Sequence, residues 1–149
     1  MALPLEGIRI LELGTGTAVP FAGKLLAELG ADLVKVEPPD GDPARWIGPF
    51  AALQANPEAG ALHLYLNTAK RSVVLPYGST EELTRLLGGA DVALVDGEQD
   101  LASLTAAHPG VIFCSITPFG LSGPYTGAPA SELTVQAISG YVGATGEEG

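Results

Sequence analysis

Apolar positions near the start of the chain change their spacing twice. Residues 8–13 form a nearly continuous apolar run, as in a parallel strand that is buried on both faces. Between Pro20, placed as the first helical residue, and Leu29 the apolar residues recur at helical spacing, and Gly30 is positioned to end the helix. A second apolar run follows at 33–36. The pattern predicts a β-α-β unit.

The rest of the chain continues this alternation of short apolar runs and helical segments. Its predicted elements are an irregular segment at 38–64, a strand at 71–75, a helix after a capping box of Ser79 and Glu82, a strand at 92–95, a short helix capped by Asp100, a strand at 111–116, a loop at 117–130 and a helix from Ser131 to Ile138. Strands alternating with helices predict an α/β fold, a Rossmann-like doubly wound, mainly parallel sheet with right-handed crossovers. Residues 141–149 form no further element, so we expect the 149 residues to be one truncated domain of a longer protein.

Acidic residues outnumber basic ones, with 17 Asp and Glu against seven Lys and Arg and a net charge of −10. Nucleic acid and anionic membranes bind clustered cations, so this balance argues against both as partners. No uncharged apolar run approaches the ~20 residues of a membrane-spanning helix, and the N-terminus lacks the basic and apolar regions of a secretory signal. The single cysteine excludes an internal disulfide. We therefore expect a soluble, cytoplasmic protein.

The cysteine and the histidines predict no metal site. Cys114 lies inside the strand at 111–116, where a buried and inert thiol is expected. His63 and His108 are isolated, and no second cysteine or histidine stands at ligand spacing.

The glycine-spaced turn after the first strand suggests a dinucleotide-binding motif. Gly14 and Gly16 open the turn, and Glu37 at the end of the second strand is placed like the acid that holds a ribose. The motif would need a third glycine where Val19 stands, and Pro20 follows directly. NAD or FAD binding is therefore a distant alternative. The turn still lies at the carboxyl edge of the predicted sheet, where ligands tend to bind.

Several blocks together resemble the class III CoA-transferases, the carnitine-dehydratase/bile-acid-inducible (CaiB/BaiF) family. In order along the chain they are residues 5–12, 20–23, 29–37, 41–45, 66–67, 70–72, 90–92, 115–120, 123–125 and 132–140. No block is diagnostic alone, but the resemblance covers essentially the whole chain.

The resemblance implies a Rossmann-like large domain that binds coenzyme A, a small domain threaded into it, and an interlocked homodimer. The implied reaction moves CoA from a CoA thioester to a carboxylic acid through an aspartyl mixed anhydride and an aspartyl-CoA thioester. Some relatives are acyl-CoA racemases, which exchange the α-proton with paired acid and base groups. CoA and acyl-CoA enter as substrates, and no covalently bound cofactor is implied.

The resemblance also implies site residues. Gly16, Thr17 and Ala18 match the turn that lines the CoA and catalytic pocket. Lys70 and Arg71, with the strand to Leu75, match the segment that holds the CoA nucleotide, and a cation pair suits a phosphate-bearing ligand. The alternative for the pair is a solvated strand edge.

The chain also departs from the family pattern. Family members commonly follow the fourth strand with an Arg-Pro-Gly loop that contacts CoA, whereas residues 95–100 are acidic, and carboxylates repel phosphates. The family's nucleophilic Asp is expected beyond Gly149. Glu132 stands where racemases place a catalytic Asp, although an acid there also suits the positive end of a helix. These departures resemble the degenerate first half of a tandem-domain member, so a non-catalytic scaffold or dimer partner stays open beside transferase and racemase.

Overall fold

The computed structural model describes residues 2–50, 54–97 and 100–146, which form two compact units, Met1–Ile116 and Thr117–Gly149. The first unit contains β1 (Arg9–Glu12), α1 (Ala18–Glu28), β2 (Asp32–Glu37), a 3₁₀ turn (Pro43–Trp46), α2 (Ala61–Leu66), β3 (Arg71–Val74), α3 (Thr80–Gly88), β4 (Val92–Asp96), α4 (Leu101–Ala107) and β5 (Ile112–Ile116). The second unit contains α5 (Glu132–Ile138) and α6 (Tyr141–Ala144). In the ranges described, no helix has both the length and the apolar character needed to cross a membrane.

All five strands are parallel and lie in the order β3-β2-β1-β4-β5. The chain runs outward from β1 through β2 to β3, then returns to the other side of β1 for β4 and β5. In doubly wound proteins, such a reversal opens a crevice at the carboxyl ends of the strands, where ligands bind. The predicted α/β class and doubly wound parallel sheet are confirmed.

Each face of the sheet carries its own apolar core. On one face, the strands pack against α1 through Ile10, Leu33, Leu94 and Val19. On the other face, they pack against α3 through Leu11, Ala93 and Leu87. Because successive strand residues point to opposite faces, the apolar run of β1 serves both cores, as expected for a central parallel strand.

The structure corrects two expectations about α1. The helix begins at Ala18, so Pro20 is its third residue; the first turn tolerates it because the first four N–H groups of a helix have no internal partner. The apolar residues Phe21 and Leu25 are 42% and 47% exposed, whereas the small residue Gly23 faces the sheet. Small residues let the helix approach the strands closely, so the larger apolar side chains lie outside.

Further expectations are wrong. Helices α2 and α6 form at 61–66 and 141–144, where the sequence predicts an irregular segment and no further element. Ser79 precedes α3, but its side chain makes no capping hydrogen bond, so the predicted capping box with Glu82 does not form. Cys114 is exposed and not buried; it lies on β5, which pairs only with β4 and is an edge strand among the described residues. The caps predicted at Asp100 and Ser131 are confirmed: each side chain accepts a hydrogen bond from a backbone N–H of the helix it precedes.

Candidate functional site

A cleft of about 380 Å³ opens at the carboxyl edge of the sheet in the first unit. Its lining comes from the ends of β1, β2 and β4 and from the β3–α3 segment: Leu13, Thr15, Val36, Glu37, Pro38, Leu75, Pro76, Tyr77, Gly78, Ser79, Thr80, Leu83 and Asp96. The cleft therefore lies at the edge where the strand order predicts a ligand site.

The lining combines an apolar surface with hydroxyl groups and carboxylates. Tyr77 is 75% exposed, and its hydroxyl lies 3.4 Å from the Oδ2 of Asp40. Asp96 accepts a hydrogen bond of 3.3 Å from the backbone N–H of Thr15, which joins the ends of β4 and β1. Among the described lining residues there is no Lys or Arg. This lining suits a flat, uncharged ring, which can pack on the apolar surface and meet the protein hydroxyls. It suits an isolated phosphate less well, because the described lining offers no cation to pair with it.

Glu37 borders the cleft, but its carboxylate is already bound by protein groups. Arg45 donates to both carboxylate oxygens, at 2.6 and 2.8 Å, and the backbone N–H of Asp42 donates to one of them at 3.1 Å. The Arg45 guanidinium is the main reason that the pKa of Glu37 is lowered to about 2. Because both oxygens are engaged, Glu37 is unsuited to the ribose-binding role in the dinucleotide alternative.

A buried charge cluster lies on the α1 face of the sheet. Glu12 at the end of β1 is fully buried and divides its carboxylate between two lysines: Oε1 accepts from Lys35 at 2.9 Å and Oε2 from Lys70 at 2.7 Å. Lys35 also forms an ion pair of 2.7 Å with Asp42. Burial alone would lower the pKa of Lys35, but the two carboxylates together raise it. The cluster thus pairs two cations with two anions.

The structure separates the two cations that the sequence places side by side. The side chain of Lys70 is 2% exposed, and burial lowers its pKa against the opposing effect of Glu12. Arg71 lies at the amino end of β3, is 68% exposed, and pairs with Asp32 at 2.5 Å. Neither residue lines the cleft, whereas Leu75 does. Leu75, at the carboxyl end of the predicted nucleotide-binding segment, is therefore the one predicted residue of that segment that lines the cleft.

The predicted turn residues lie beside the cleft. Gly16 and Thr17 precede α1, and Ala18 is its first residue. They directly follow Thr15, which lines the cleft, but they are not lining residues themselves. Gly16 has a φ of +77°, a conformation that favours glycine.

Glu132 belongs to the second unit, in the first turn of α5. Its Oε1 accepts a hydrogen bond of 2.6 Å from the side chain of Gln136 one turn later. The carboxylate is therefore held along its own helix, in keeping with placement at a helix start. Its catalytic role stays a prediction, as does the nucleophilic Asp that the resemblance implies beyond Gly149.

Sequence reasoning missed Thr15 and Tyr77 as cleft residues, and it identified Asp96 only as part of the acidic segment at 95–100. Thr15 follows β1, Tyr77 follows β3 and Asp96 ends β4. Polar residues directly after parallel strands meet at one sheet edge, so the strand pattern would have identified them. Of the acidic segment at 95–100, Glu98 and Gln99 lie outside the described residues. Across the described ranges, no group of three or more His, Cys, Asp or Glu is arranged to hold a metal ion.

Comparisons with known proteins agree with the fold and the sequence blocks. Residues 5–149 match the family model described as CoA-transferase family III. The chain is 37% identical to a succinate–glutarate CoA-transferase of Agrobacterium fabrum, over 97% of this chain and 40% of that protein. It is also 37% identical to a formyl-CoA:oxalate CoA-transferase of Streptomyces coelicolor, over 99% of this chain and 37% of that protein.

A solved structure supports the same assignment. A CaiB/BaiF family protein from Brucella suis has a TM-score of 0.85 and 33% identity, over 99% of this chain and 42% of that one. The chain thus spans about 40% of the length of the curated relatives it matches. The resemblance predicted from the sequence is confirmed, and the chain belongs to CoA-transferase family III.

Proposed function

We propose that this chain forms the N-terminal, CoA-binding part of an acyl-CoA transferase that moves CoA between carboxylic acids. The observation that carries the proposal is the cleft at the carboxyl edge of a β3-β2-β1-β4-β5 sheet, in a chain of this family. The relatives named above act on succinate and glutarate or on formyl-CoA and oxalate, so carboxylic acids and their CoA thioesters are the substrate class.

The proposed chemistry uses a carboxylate nucleophile outside residues 1–149. That aspartate attacks the thioester carbonyl, the CoA thiolate leaves, and a mixed anhydride forms. The thiolate then attacks the aspartyl carbonyl and releases the first acid, leaving an aspartyl-CoA thioester. The second acid attacks this thioester, which releases the CoA thiolate and forms a second mixed anhydride. The thiolate then attacks the new acyl carbonyl, which gives the product thioester and frees the aspartate. The described residues bind CoA and supply no nucleophile. A homodimer or a tandem-domain partner, and a cytoplasmic location, belong to this proposal.

The cleft supports one orientation of the nucleotide. Leu75 and the exposed ring of Tyr77 offer an apolar surface for the adenine, and the hydroxyl of Ser79, which makes no capping hydrogen bond, can donate to its ring nitrogens. The phosphates then lie away from Asp96, toward solvent or toward parts of the protein beyond this chain.

A non-catalytic scaffold or dimer partner is the second candidate. It is favoured by one observation: the described lining contains Asp96 and Glu37 but no Lys or Arg. A cleft without cations gives the CoA phosphates no direct partner, which weakens binding.

Calorimetric titration of the chain with CoA separates the two candidates. The proposal predicts saturable binding that Tyr77→Ala weakens by about fivefold, the size expected for a lost stacking contact. Tyr65→Ala is the matched control, because Tyr65 is 57% exposed on α2 and lies outside the cleft. No heat with the unaltered chain would favour the scaffold, and equal weakening by both substitutions would place the ligand elsewhere.

A further inference from the structure

Two buried lysines donate hydrogen bonds to the backbone at the two ends of the connection between β1 and α1. Lys35 donates to the backbone carbonyl of Gly14 at 3.2 Å, and Lys70 donates to the backbone carbonyl of Pro20 at 2.7 Å. These two carbonyls bracket residues 15–19, which contain the predicted CoA turn and the cleft residue Thr15. The lysines come from β2 and from the residue before β3, so each ties the connection to a different strand.

Both lysines are held in place by further buried partners. Glu12 binds each of them through a different carboxylate oxygen, and the Oδ1 of Asn67 accepts from Lys70 at 3.1 Å. Lys35 and Lys70 are 1% and 2% exposed at their side chains, and Glu12 is fully buried. A buried lysine with three acceptors has a fixed ammonium position, because it donates three hydrogen bonds.

The close approach of α1 completes the arrangement. A Cβ at Gly23 would overlap Glu12 Oε2 and would lie 3.2 Å from Lys70 Nζ and 3.1 Å from Leu33 Cδ1. Gly23 therefore lets the helix lie directly over the ion pair.

The local charge balance leaves no cation for a ligand phosphate. A polar cavity of about 180 Å³ lies beside Lys70, and its lining contains the four cations Lys35, Arg45, Lys70 and Arg71. Each of these cations has a carboxylate partner within 4.0 Å; the partners are Glu12, Asp42, Glu37, Glu58 and Asp32. Every cation that lines the cavity is therefore already paired with a carboxylate, and its described lining offers an added anion no unpaired positive charge.

We propose that Lys70, with Lys35 and Glu12, is a positioning residue that sets the shape of residues 14–20 and thereby the β1 wall of the cleft, and that it does not contact CoA phosphate. The part of this inference that concerns the ligand rests on the proposed function. Lys70 acts through the Pro20 carbonyl and Glu12, and both lie on the α1 face of the sheet, whereas the cleft lining draws on α3 and not on α1.

Hydrogen–deuterium exchange of the unliganded chain tests the positioning role without CoA. In Lys70→Met, the amides of residues 15–18 should exchange about tenfold faster, while the amides of β2 and β4 keep their protection. Arg85→Met is the control, since Arg85 is exposed and, among the described residues, has no carboxylate within 4.0 Å. Unchanged exchange at 15–18, or an equal rise throughout the sheet, would overturn the proposal.

A second variant covers the case in which Lys70→Met does not fold. Glu12→Gln with Lys70→Met removes one charge of each sign, so Lys35 keeps Asp42 and the cluster stays balanced. The Pro20 carbonyl still loses its lysine, so faster exchange at 15–18 is expected again. Normal protection there would contradict the proposal.

The ligand arm compares adenosine 3′,5′-bisphosphate, the nucleotide end of CoA, with adenosine, which differs from it only in the phosphates. A positioning role predicts that Lys70→Met weakens both ligands by the same factor, within about twofold. A loss confined to the bisphosphate would show that Lys70 contacts phosphate and would overturn the inference. If the unaltered chain binds neither ligand, the proposed function fails, while the exchange result still decides the positioning role.

Discussion

Lys70 Nζ lies 2.7 Å from Glu12 Oε2, although 58 residues separate the two along the chain. Both side chains are buried, and the pair lies where β1 ends, α1 begins and β3 approaches. Charged groups in this position reduce the number of ways in which the strands and the helix can pack, because each ion must meet its partner. The pair therefore links the sheet to the connection that borders the cleft.

Gly23→Ala should destabilise the chain by about 1–3 kcal/mol, because the added methyl group overlaps the Glu12 carboxylate. Gly88→Ala is the matched control: Gly88 is helical, and a methyl group added there would have no neighbouring atom within 4 Å, so this substitution should lose no stability. Urea unfolding measures both variants. Equal midpoints for the two would show that α1 does not lie against the ion pair as described.

Removing one member of the buried pair should cost far more than removing both. Glu12→Gln leaves two buried lysines short of a carboxylate and should cost about 3–5 kcal/mol of unfolding free energy. Adding Lys70→Met should restore part of that loss, because the remaining charges balance. A double-mutant cycle from unfolding curves measures the coupling, and strictly additive losses would mean that the two residues do not interact.

The Glu37–Arg45 pair predicts a specific pH dependence of stability. The pKa of Glu37 is lowered from 4.5 to about 2, so its stabilising contribution is full above about pH 4.5 and is lost as the pH falls toward 2. The whole shift corresponds to about 3.5 kcal/mol at about 1.4 kcal/mol per pKa unit. Because the Asp42 N–H and Lys35 also lower the pKa, Arg45→Met should reduce stability at pH 6 by less, on the order of 2 kcal/mol. The difference between the two proteins should shrink as the pH approaches 2.

Thermal unfolding between pH 2 and pH 7 measures this difference. Arg85→Met again serves as the control, since it removes an exposed cation without touching Glu37. A constant gap between Arg45→Met and the unaltered chain across the whole range would show that Glu37 titrates normally.

Asp96→Asn should strengthen CoA binding by about twofold to fivefold, because it removes a negative charge from a cleft that receives a phosphate-bearing ligand. The asparagine oxygen can still accept from the Thr15 N–H, so the link between β4 and β1 is kept. Glu6→Gln makes the same charge change at an exposed position before β1 and should leave the affinity unchanged. Weaker binding of CoA by Asp96→Asn would mean that the carboxylate itself contacts the ligand.

The β-α-β unit is predictable from sequence because its signals are local. The apolar run at 33–36 and Gly30 at the helix end depend on neighbours in sequence, and the structure has both features where expected. The outward position of Phe21 is not predictable from spacing alone, because Gly23 and other small residues also recur along the helix. Close packing over the ion pair decides which face of α1 is buried.

The charge cluster depends on distant partners, so it is not visible in any one segment of the sequence. Glu12 and Lys35 are 23 residues apart, and Lys70 lies further still. One local signal is present: Lys35 lies between Val34 and Val36 inside an apolar run that predicts a parallel strand covered on both faces. That position requires a buried partner for its charge. Lys70 lies just before β3, outside any apolar run, so no local pattern indicates that it is buried. From sequence alone, its position next to Arg71 suggests a pair of exposed cations that binds phosphate.

Binding of CoA at the carboxyl-edge cleft is tested most directly by an NMR titration of the isotope-labelled chain with CoA, because each backbone amide reports its own surroundings. We expect shifts concentrated at Thr15, at residues 75–80 and at Asp96, which line the cleft. Arg9 and Arg71, at the opposite edge of the sheet, should be unchanged. Shifts centred on that opposite edge, or no shifts at saturating CoA, would contradict binding in the cleft.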